Sequence, residues 1–174
     1  MSAQPARPGA RPLSDDAYAR IDRELAKYPA DQRQSAVMAA LAIAQRERGW
    51  VSPEVVDAVA RHLGMPPIAV HEVATFYTMY NKRPVGRHKI TVCTNLPCAL
   101  RDAVKAADYL KARLGVDYGE TTADGAFTLQ EGECMGACGD APVLLVDNHR
   151  MCGFMSFEKL DALLDELKPS GQGA

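Results

Sequence analysis

No apolar run in this 174-residue chain approaches the roughly 18 to 20 residues that a membrane-crossing helix needs, so direct membrane insertion is not expected. An excess of positive charge is missing too. The net charge of -2 argues against a general nucleic-acid binder, because neutralising phosphates takes a surplus of Lys and Arg. The N-terminal MSAQPARPGARP carries two arginines and three prolines but no apolar core segment, so a secretory signal is not expected. Residues 1–13 read as a disordered tail, and the chain as cytoplasmic. No Gly-rich dinucleotide or phosphate loop is present, since the glycines near Cys138 do not follow G-x-G-x-x-G. The chain is therefore expected to bind no dinucleotide itself. His62, His71, His88 and His149 are scattered, which favours solvated or packing roles over ligation.

Cysteine is scarce but clustered. In a reducing compartment five cysteines seldom mean disulfides, so clustered ones point to metal or redox chemistry. The rest of the composition, 47% hydrophobic and 24% charged, is that of a soluble globular protein.

Residues 14–84 read as all helix. Ser14 can cap a helix whose Tyr18, Ile21 and Leu25 recur at spacings of three and four, closed by Pro29. Asp31 and Gln34 resemble a capping box opening a helix through Val37, Met38, Leu41 and Ala44 to Gly49. Ser52-Pro53 starts a third helix, with Val55, Val56, Val59 and Leu63 running to Gly64. A fourth begins after Pro66 and ends in Phe76, Tyr77 and Tyr80. From Pro84 and Gly86 the pattern changes. HKITVCT alternates as a strand, and a helix follows with Leu100, Val104, Ala107, Leu110 and Leu114 as one apolar stripe stopped by Gly115. Strands are expected at Ala126 to Leu129, Pro142 to Val146 and, after the turn Asp147-Asn148, Arg150 to Phe154. Ser156 then caps a last helix with Phe157, Leu160, Leu163, Leu164 and Leu167 inward. The order predicts an α+β protein: an N-terminal helical bundle, then a thioredoxin-like α/β domain over residues 85–168, with a flexible tail at 169–174.

The chemistry concentrates on that second domain. Cys93 and Cys98 enclose four residues, Cys134 and Cys138 enclose three, and 35 residues separate the pairs. Each iron of a 2Fe-2S rhomb takes two bridging sulfides and two thiolates, so two cysteine pairs on facing loops suffice. Cys98 falls at the start of a helix, where free N–H groups favour a thiolate. In EGECMGACGDAP, Gly132, Gly136 and Gly139 allow the backbone to wrap closely and point N–H groups at sulfur, while Glu131, Glu133 and Asp140 would lower a reduction potential. Two rival readings stand beside the cluster. Structural zinc prefers tighter ligand spacing, and a dithiol enzyme wants C-x-x-C at its strand-to-helix turn. A Rieske centre lacks its histidine pattern.

VCTNLPCALR and EGECMGACGDAPV resemble the motifs of the thioredoxin-like 2Fe-2S family found in bacterial respiratory complex I, the NADH:quinone oxidoreductase, and LGMPPIAVHEVATFYTMYNKRPVG resembles the upstream segment of that family. The likeness spans roughly residues 14 to 168. It implies that Cys93, Cys98, Cys134 and Cys138 hold one 2Fe-2S cluster and that residues 14–84 dock on partners. It further implies electron exchange with FMN on a neighbouring subunit that binds NADH, beside further iron-sulfur subunits, at the inner face of the cell membrane. Similar chains serve NAD-linked hydrogenases and formate dehydrogenases.

Other features read more plainly. Cys152, in RMCGF, is expected to be a buried inert thiol outside the site, and Trp50 a loop-packing residue. Ala60, Gly64 and Val70 mimic a DNA-binding helix-turn-helix, but PPIAVHEVATF offers no Arg, Lys, Asn or Gln to read bases. Between Glu72 and Asp102 there is no acidic residue, while Lys82, Arg83, Arg87, Lys89 and Arg101 fall there, so this stretch reads either as a solvated face or as a surface whose complementary charge orients the chain on a partner.

Overall fold

The computed structural model describes residues 12–168. They divide into two compact units, one up to Pro84 and one from Val85. Most of the expected tails, residues 1–11 and 169–174, lies outside the described residues. Leu13, assigned by composition to the first tail, is instead buried in the core of the first unit.

The first unit is built on capped helices. Helix α1 (Asp15–Leu25) opens at Ser14, whose Oγ accepts from the Ala17 N–H at 3.1 Å, and it stops short of Pro29. Glu47 takes both the N–H and the hydroxyl of Ser14, at 2.8 and 2.6 Å, tying the start of α1 to the end of the next helix. That helix, α2 (Val37–Arg48), follows a 3-10 turn over Arg33–Ala36. The expected capping box at Asp31 does not form: the turn starts at Gln32 with no side-chain cap, and the Gln34 amide donates to Gln32 Oε1 at 3.1 Å. Gly49 closes α2 in the left-handed region, φ 79°, where a Cβ would be strained. Helix α3 (Pro53–Leu63) is capped by Ser52, which accepts from the Val55 N–H at 3.3 Å. Helix α4 (Pro67–Phe76) ends before Tyr80, so Tyr80 is not helical as expected; it is a buried residue of the following turn. Ile21, Leu41, Val55, Val59, Leu63 and Val70 are fully buried at the centre of this unit.

The second unit is a four-stranded sheet in the order β2-β1-β3-β4. Strand β1 (His88–Cys93) runs parallel to β2 (Phe127–Gly132), with Ile90 opposite Leu129 and Cys93 opposite Gly132. Strand β3 (Leu144–Val146) is antiparallel to β1, and β4 (Arg150–Cys152) antiparallel to β3. The last pair turns at Asp147-Asn148, both with positive φ, as a tight right-twisted hairpin asks. Helices α5 (Leu96–Ala99) and α6 (Ala103–Leu114) connect β1 to β2, and α7 (Phe157–Leu167), capped by Ser156, closes the chain. This is the expected mixed order of one strand, helix, three strands, helix. Ile90, Leu110, Leu129, Leu144 and Leu160 are fully buried in its core.

Three expectations fail here for local reasons. The stripe drawn from Leu100 to Leu114 assumes one helix, but Asp102 adopts φ 67° and restarts the helix in a new phase. The inward positions become Ala103, Ala106, Ala107 and Leu110, leaving Leu100 76% and Val104 50% exposed. Phe157 is likewise exposed at the first turn of α7, where it stacks on Tyr109 with ring centroids 4.6 Å apart. Lys89, counted with the basic stretch, is buried; desolvation lowers its pKa against the opposing pull of Asp147.

Candidate metal centre

Strand β1 delivers Cys93 to the end of the sheet. Its N–H donates to the Val143 carbonyl at 3.1 Å, and the Thr94 N–H reaches the Gly132 carbonyl at 3.3 Å, which closes the β1–β2 ladder. The chain then turns into α5. Asn95 caps it, with Oδ1 accepting from the Leu96 N–H at 3.0 Å, and Pro97 sits in the first turn, where its missing N–H costs nothing. One turn of helix therefore faces Cys98 inward, while Leu96 and Leu100 on either side of it are exposed. Cys93, Cys98, Ala103, Ala141 and Val143 form a small apolar cluster, with Met135 and Ala137 packed on it.

The other pair is exposed. Cys134 Sγ and Cys138 Sγ lie 3.4 Å apart in one tight loop. Gly136 takes φ 78° there, which turns its N–H towards Cys134 Sγ at 3.5 Å, the sulfur-directed donor that the glycine spacing implied. Gly132 permits close approach at the start of the loop: a Cβ on it would stand 2.5 Å from Thr91 Cγ2 and 3.1 Å from Met135 Cε.

The thiols influence one another. Burial pushes the Cys98 thiol up, reinforced by its hydrogen bond with Cys93 and opposed by the Val143 amide. The expected thiolate preference from a helix start is thus outweighed by desolvation in a helix of four residues. Cys134 moves the other way, chiefly because the Gly136 N–H stabilises its anion, with Cys138 adding to the effect. Cys138 is raised, first by Cys134 and then by burial, and it also feels Cys93. Among the described residues no three His, Cys, Asp or Glu side chains are grouped as a single metal ion would need; the thiols stand as two pairs. Two pairs are the donor set that a 2Fe-2S rhomb uses, so the chemistry of the residues present fits that group.

Two residues escaped the reading of the cysteine motifs. Thr94 Oγ1 donates to Glu131 Oε1 at 2.7 Å, tying the first cysteine loop to the end of β2, and Asn95 Nδ2 donates to Glu133 Oε2 at 2.8 Å, bridging to the second cysteine loop. The signal was present for Asn95, since Asn followed by Pro two residues on marks a helix start. Cys152 is half-buried rather than buried, opposite Leu144 on β4, and packs on the main core of the second unit instead of the thiol cluster. His62 pairs with Asp22 at 2.6 Å and His88 with Asp147 at 2.7 Å.

Residues 21–168 match the family described as thioredoxin-like 2Fe-2S ferredoxin. The chain belongs to that family. Among curated relatives of this ferredoxin family, NADH-quinone oxidoreductase subunit 2 of Thermus thermophilus is 38% identical over 154 residues, covering 88% of this chain and 85% of that protein. NADH dehydrogenase (ubiquinone) flavoprotein 2, mitochondrial, of Dictyostelium discoideum is 41% identical over 150 residues; there the match spans 86% of this chain and 60% of the longer relative. The fold is also similar to a chain of an NAD+-reducing NiFe-hydrogenase in the H2-reduced state, with a TM-score of 0.65 and 21% identity over 75% of this chain and 22% of that one. Among the described residues no helix is long and apolar enough to cross a membrane.

Proposed function

We propose that this ferredoxin-family chain is the 2Fe-2S electron-transfer subunit of an NADH-quinone oxidoreductase, with Cys93, Cys98, Cys134 and Cys138 as the ligands of one cluster. The observation that carries the reading is that two thiol pairs follow the same end of the parallel strands β1 and β2, with Cys138 electrostatically in reach of Cys93, in a chain that aligns over most of its length with a subunit of such an enzyme. When bound, the cluster supplies one-electron carriage. The chain's own residues divide the remaining tasks. The apolar packing of Cys93 and Cys98 keeps water from one pair, while the exposed Cys134–Cys138 loop lies at the surface where a redox partner can approach. The Gly136 N–H offsets negative charge on Cys134.

In this reading FMN and NADH belong to a partner subunit, further iron-sulfur subunits complete the electron path, and the helical bundle of residues 14–84 docks on the assembly. The complex places the chain peripherally at the inner face of the cell membrane. Anaerobic purification tests it. A reddish-brown protein with stoichiometric iron and sulfide and a 2Fe-2S resonance after reduction supports the assignment; a colourless zinc protein or a metal-free dithiol overturns it. Saturable NADH binding to the isolated chain, seen by calorimetry, would contradict the division of cofactors. The partner chains that co-purify distinguish an NADH-quinone oxidoreductase from an NAD-linked hydrogenase or formate dehydrogenase.

A further inference from the structure

The regular β1–β2 pairing ends at Cys93 opposite Gly132, yet Cys98 and the second thiol pair lie beyond that point, on loops that no longer share a ladder. Each pair is held by its own short loop. The separation between the pairs depends on what joins one loop to the other. At and past the last rung a main-chain bond, Thr94 N–H to the Gly132 carbonyl at 3.3 Å, is joined by two side-chain bonds: Thr94 Oγ1 reaches back to Glu131 Oε1 near the end of β2 at 2.7 Å, and Asn95 Nδ2 reaches Glu133 Oε2 in the second cysteine loop at 2.8 Å. Asn95 uses both ends of its amide, since its Oδ1 caps α5 through the Leu96 N–H, the turn that carries Cys98.

Building on the ligand assignment above, we propose that Thr94–Glu131 and Asn95–Glu133 are clasps that set the spacing of the two thiol pairs, and that their carboxylates lower the potential of the group held there. They are positioning residues, not ligands. Hydrogen bonds to carboxylate oxygens are shorter and stronger than neutral ones, which suits these two to holding exposed loops in register. Glu133 directly precedes Cys134 and acts on it electrostatically, and a like charge at close range disfavours the negative charge that such a centre gains on reduction.

The test uses the full chain in three forms: unaltered, Glu131→Gln with Glu133→Gln, and Glu131→Ala with Glu133→Ala. Glutamine keeps an acceptor oxygen for each clasp but removes the charge. The Gln variant is expected to retain iron against a chelator as the unaltered chain does and to show a less negative midpoint potential in an EPR-monitored titration. The Ala variant, with both clasps cut, is expected to lose iron on the order of tenfold faster, a combined effect smaller than two buried bonds to charged groups would give because both sites are exposed. An unchanged midpoint in the Gln variant, or unaltered iron retention in the Ala variant, overturns the proposal. Cluster uptake by the unaltered chain is the separate check on the proposed function: failure there removes both readings, whereas failure confined to the variants removes only the clasps.

Discussion

The Tyr80 hydroxyl donates to the Met38 carbonyl across 2.8 Å, pinning the turn after α4 to the first turn of α2. Burial raises the Tyr80 pKa, so the group stays protonated and keeps donating through the neutral range. Tyr80→Phe leaves the ring packed and deletes one part-buried hydrogen bond, for an expected loss of about 0.5–1.5 kcal/mol. The chain's one tryptophan, Trp50, lies in the same unit and reports its unfolding. Urea titration followed by Trp50 fluorescence measures the loss, and an unshifted midpoint would show that the bond contributes nothing.

Gly86 sits where β2 leaves no room. A Cβ there would stand 2.9 Å from the Phe127 carbonyl carbon, 3.0 Å from the Phe127 nitrogen and 3.1 Å from the Gly125 oxygen, all main-chain atoms. Its N–H also donates to Thr128 Oγ1 at 2.6 Å. Gly86→Ala must therefore move the start of β1 or β2, at an expected cost of about 1–3 kcal/mol, the range for an added methyl with nowhere to go. Urea unfolding by circular dichroism, with Gly139→Ala as the control whose Cβ meets nothing, decides it.

Much of this architecture was legible because local and long-range signals agree. Ser14, Ser52 and Ser156 each precede an amphipathic run, and each accepts from the N–H three residues on. HKITVCT forms β1 where its pattern placed a strand, although burial does not alternate along it, since Lys89 and Cys93 are buried as well as Ile90 and Val92. What was hidden depends on backbone geometry that side-chain pattern does not encode. Nothing in the run from Leu100 to Leu114 announces that Asp102 will take the left-handed region and rotate the apolar stripe. Asp31 and Gln34 have the residue types of a capping box, but the chain enters α2 through a 3-10 turn. At the candidate site the cysteine spacing named the thiols, whereas the Thr94 and Asn95 bonds join residues 37 and 38 positions apart, which only the fold makes neighbours.

Asp161 links α7 to α6. It accepts from the Tyr109 hydroxyl at 2.6 Å and from Arg113 Nε at 2.9 Å, and these partners, Tyr109 first, hold its carboxyl below the ordinary aspartate range. A carboxyl with a depressed folded-state pKa stabilises the fold above its unfolded value, about 3.9, and that contribution is lost as pH falls through the folded value. Asp161→Asn keeps an acceptor for Tyr109 and removes the charge. It is expected to lower the urea midpoint modestly at pH 7, since the site is partly exposed and screened, with the gap to the unaltered chain closing below about pH 4. A gap that stays constant from pH 7 to pH 3 would show that the charge plays no part.

The ligand assignment makes a sharper demand. Replacing Cys93, Cys98, Cys134 or Cys138 singly by Ser is expected to weaken or abolish the cluster, because an oxygen ligand is a poor substitute for thiolate on iron. Cys152→Ser is expected to change nothing, since that residue packs on the other core. Iron and sulfide content with the visible spectrum is the measurement. Full content and an unchanged spectrum in any of the four would remove that residue from the site.

The docking proposed for the helical unit, on a flavin-bearing partner, is narrowed by what the fold hides. Of the basic stretch without acidic residues between Glu72 and Asp102, Lys89 is buried and drops out; of the neighbouring aromatics, Tyr80 drops out for the same reason. What the first unit leaves exposed is Phe76, at 79%, and part of Tyr77, together with Lys82 and Arg83. Phe76 and Tyr77 meet edge to face, 5.1 Å between centroids, and with Glu72, Val73 and Thr75 they line a shallow, mainly apolar recess whose acidic member lies apart in sequence from Lys82 and Arg83. An aromatic anchor beside a pair of cations suits a partner surface with an apolar pocket and an acidic rim. In the full chain, Lys82→Glu with Arg83→Glu is expected to weaken capture of the flavin-bearing subunit, most at low ionic strength, where screening is least. Phe76→Ala is expected to weaken it at low and moderate salt alike, because lost apolar burial does not depend on screening. Pull-downs at both salt concentrations separate the two contributions, and capture equal to that of the unaltered chain in both variants would show that this face of the helical unit makes no contact with the partner.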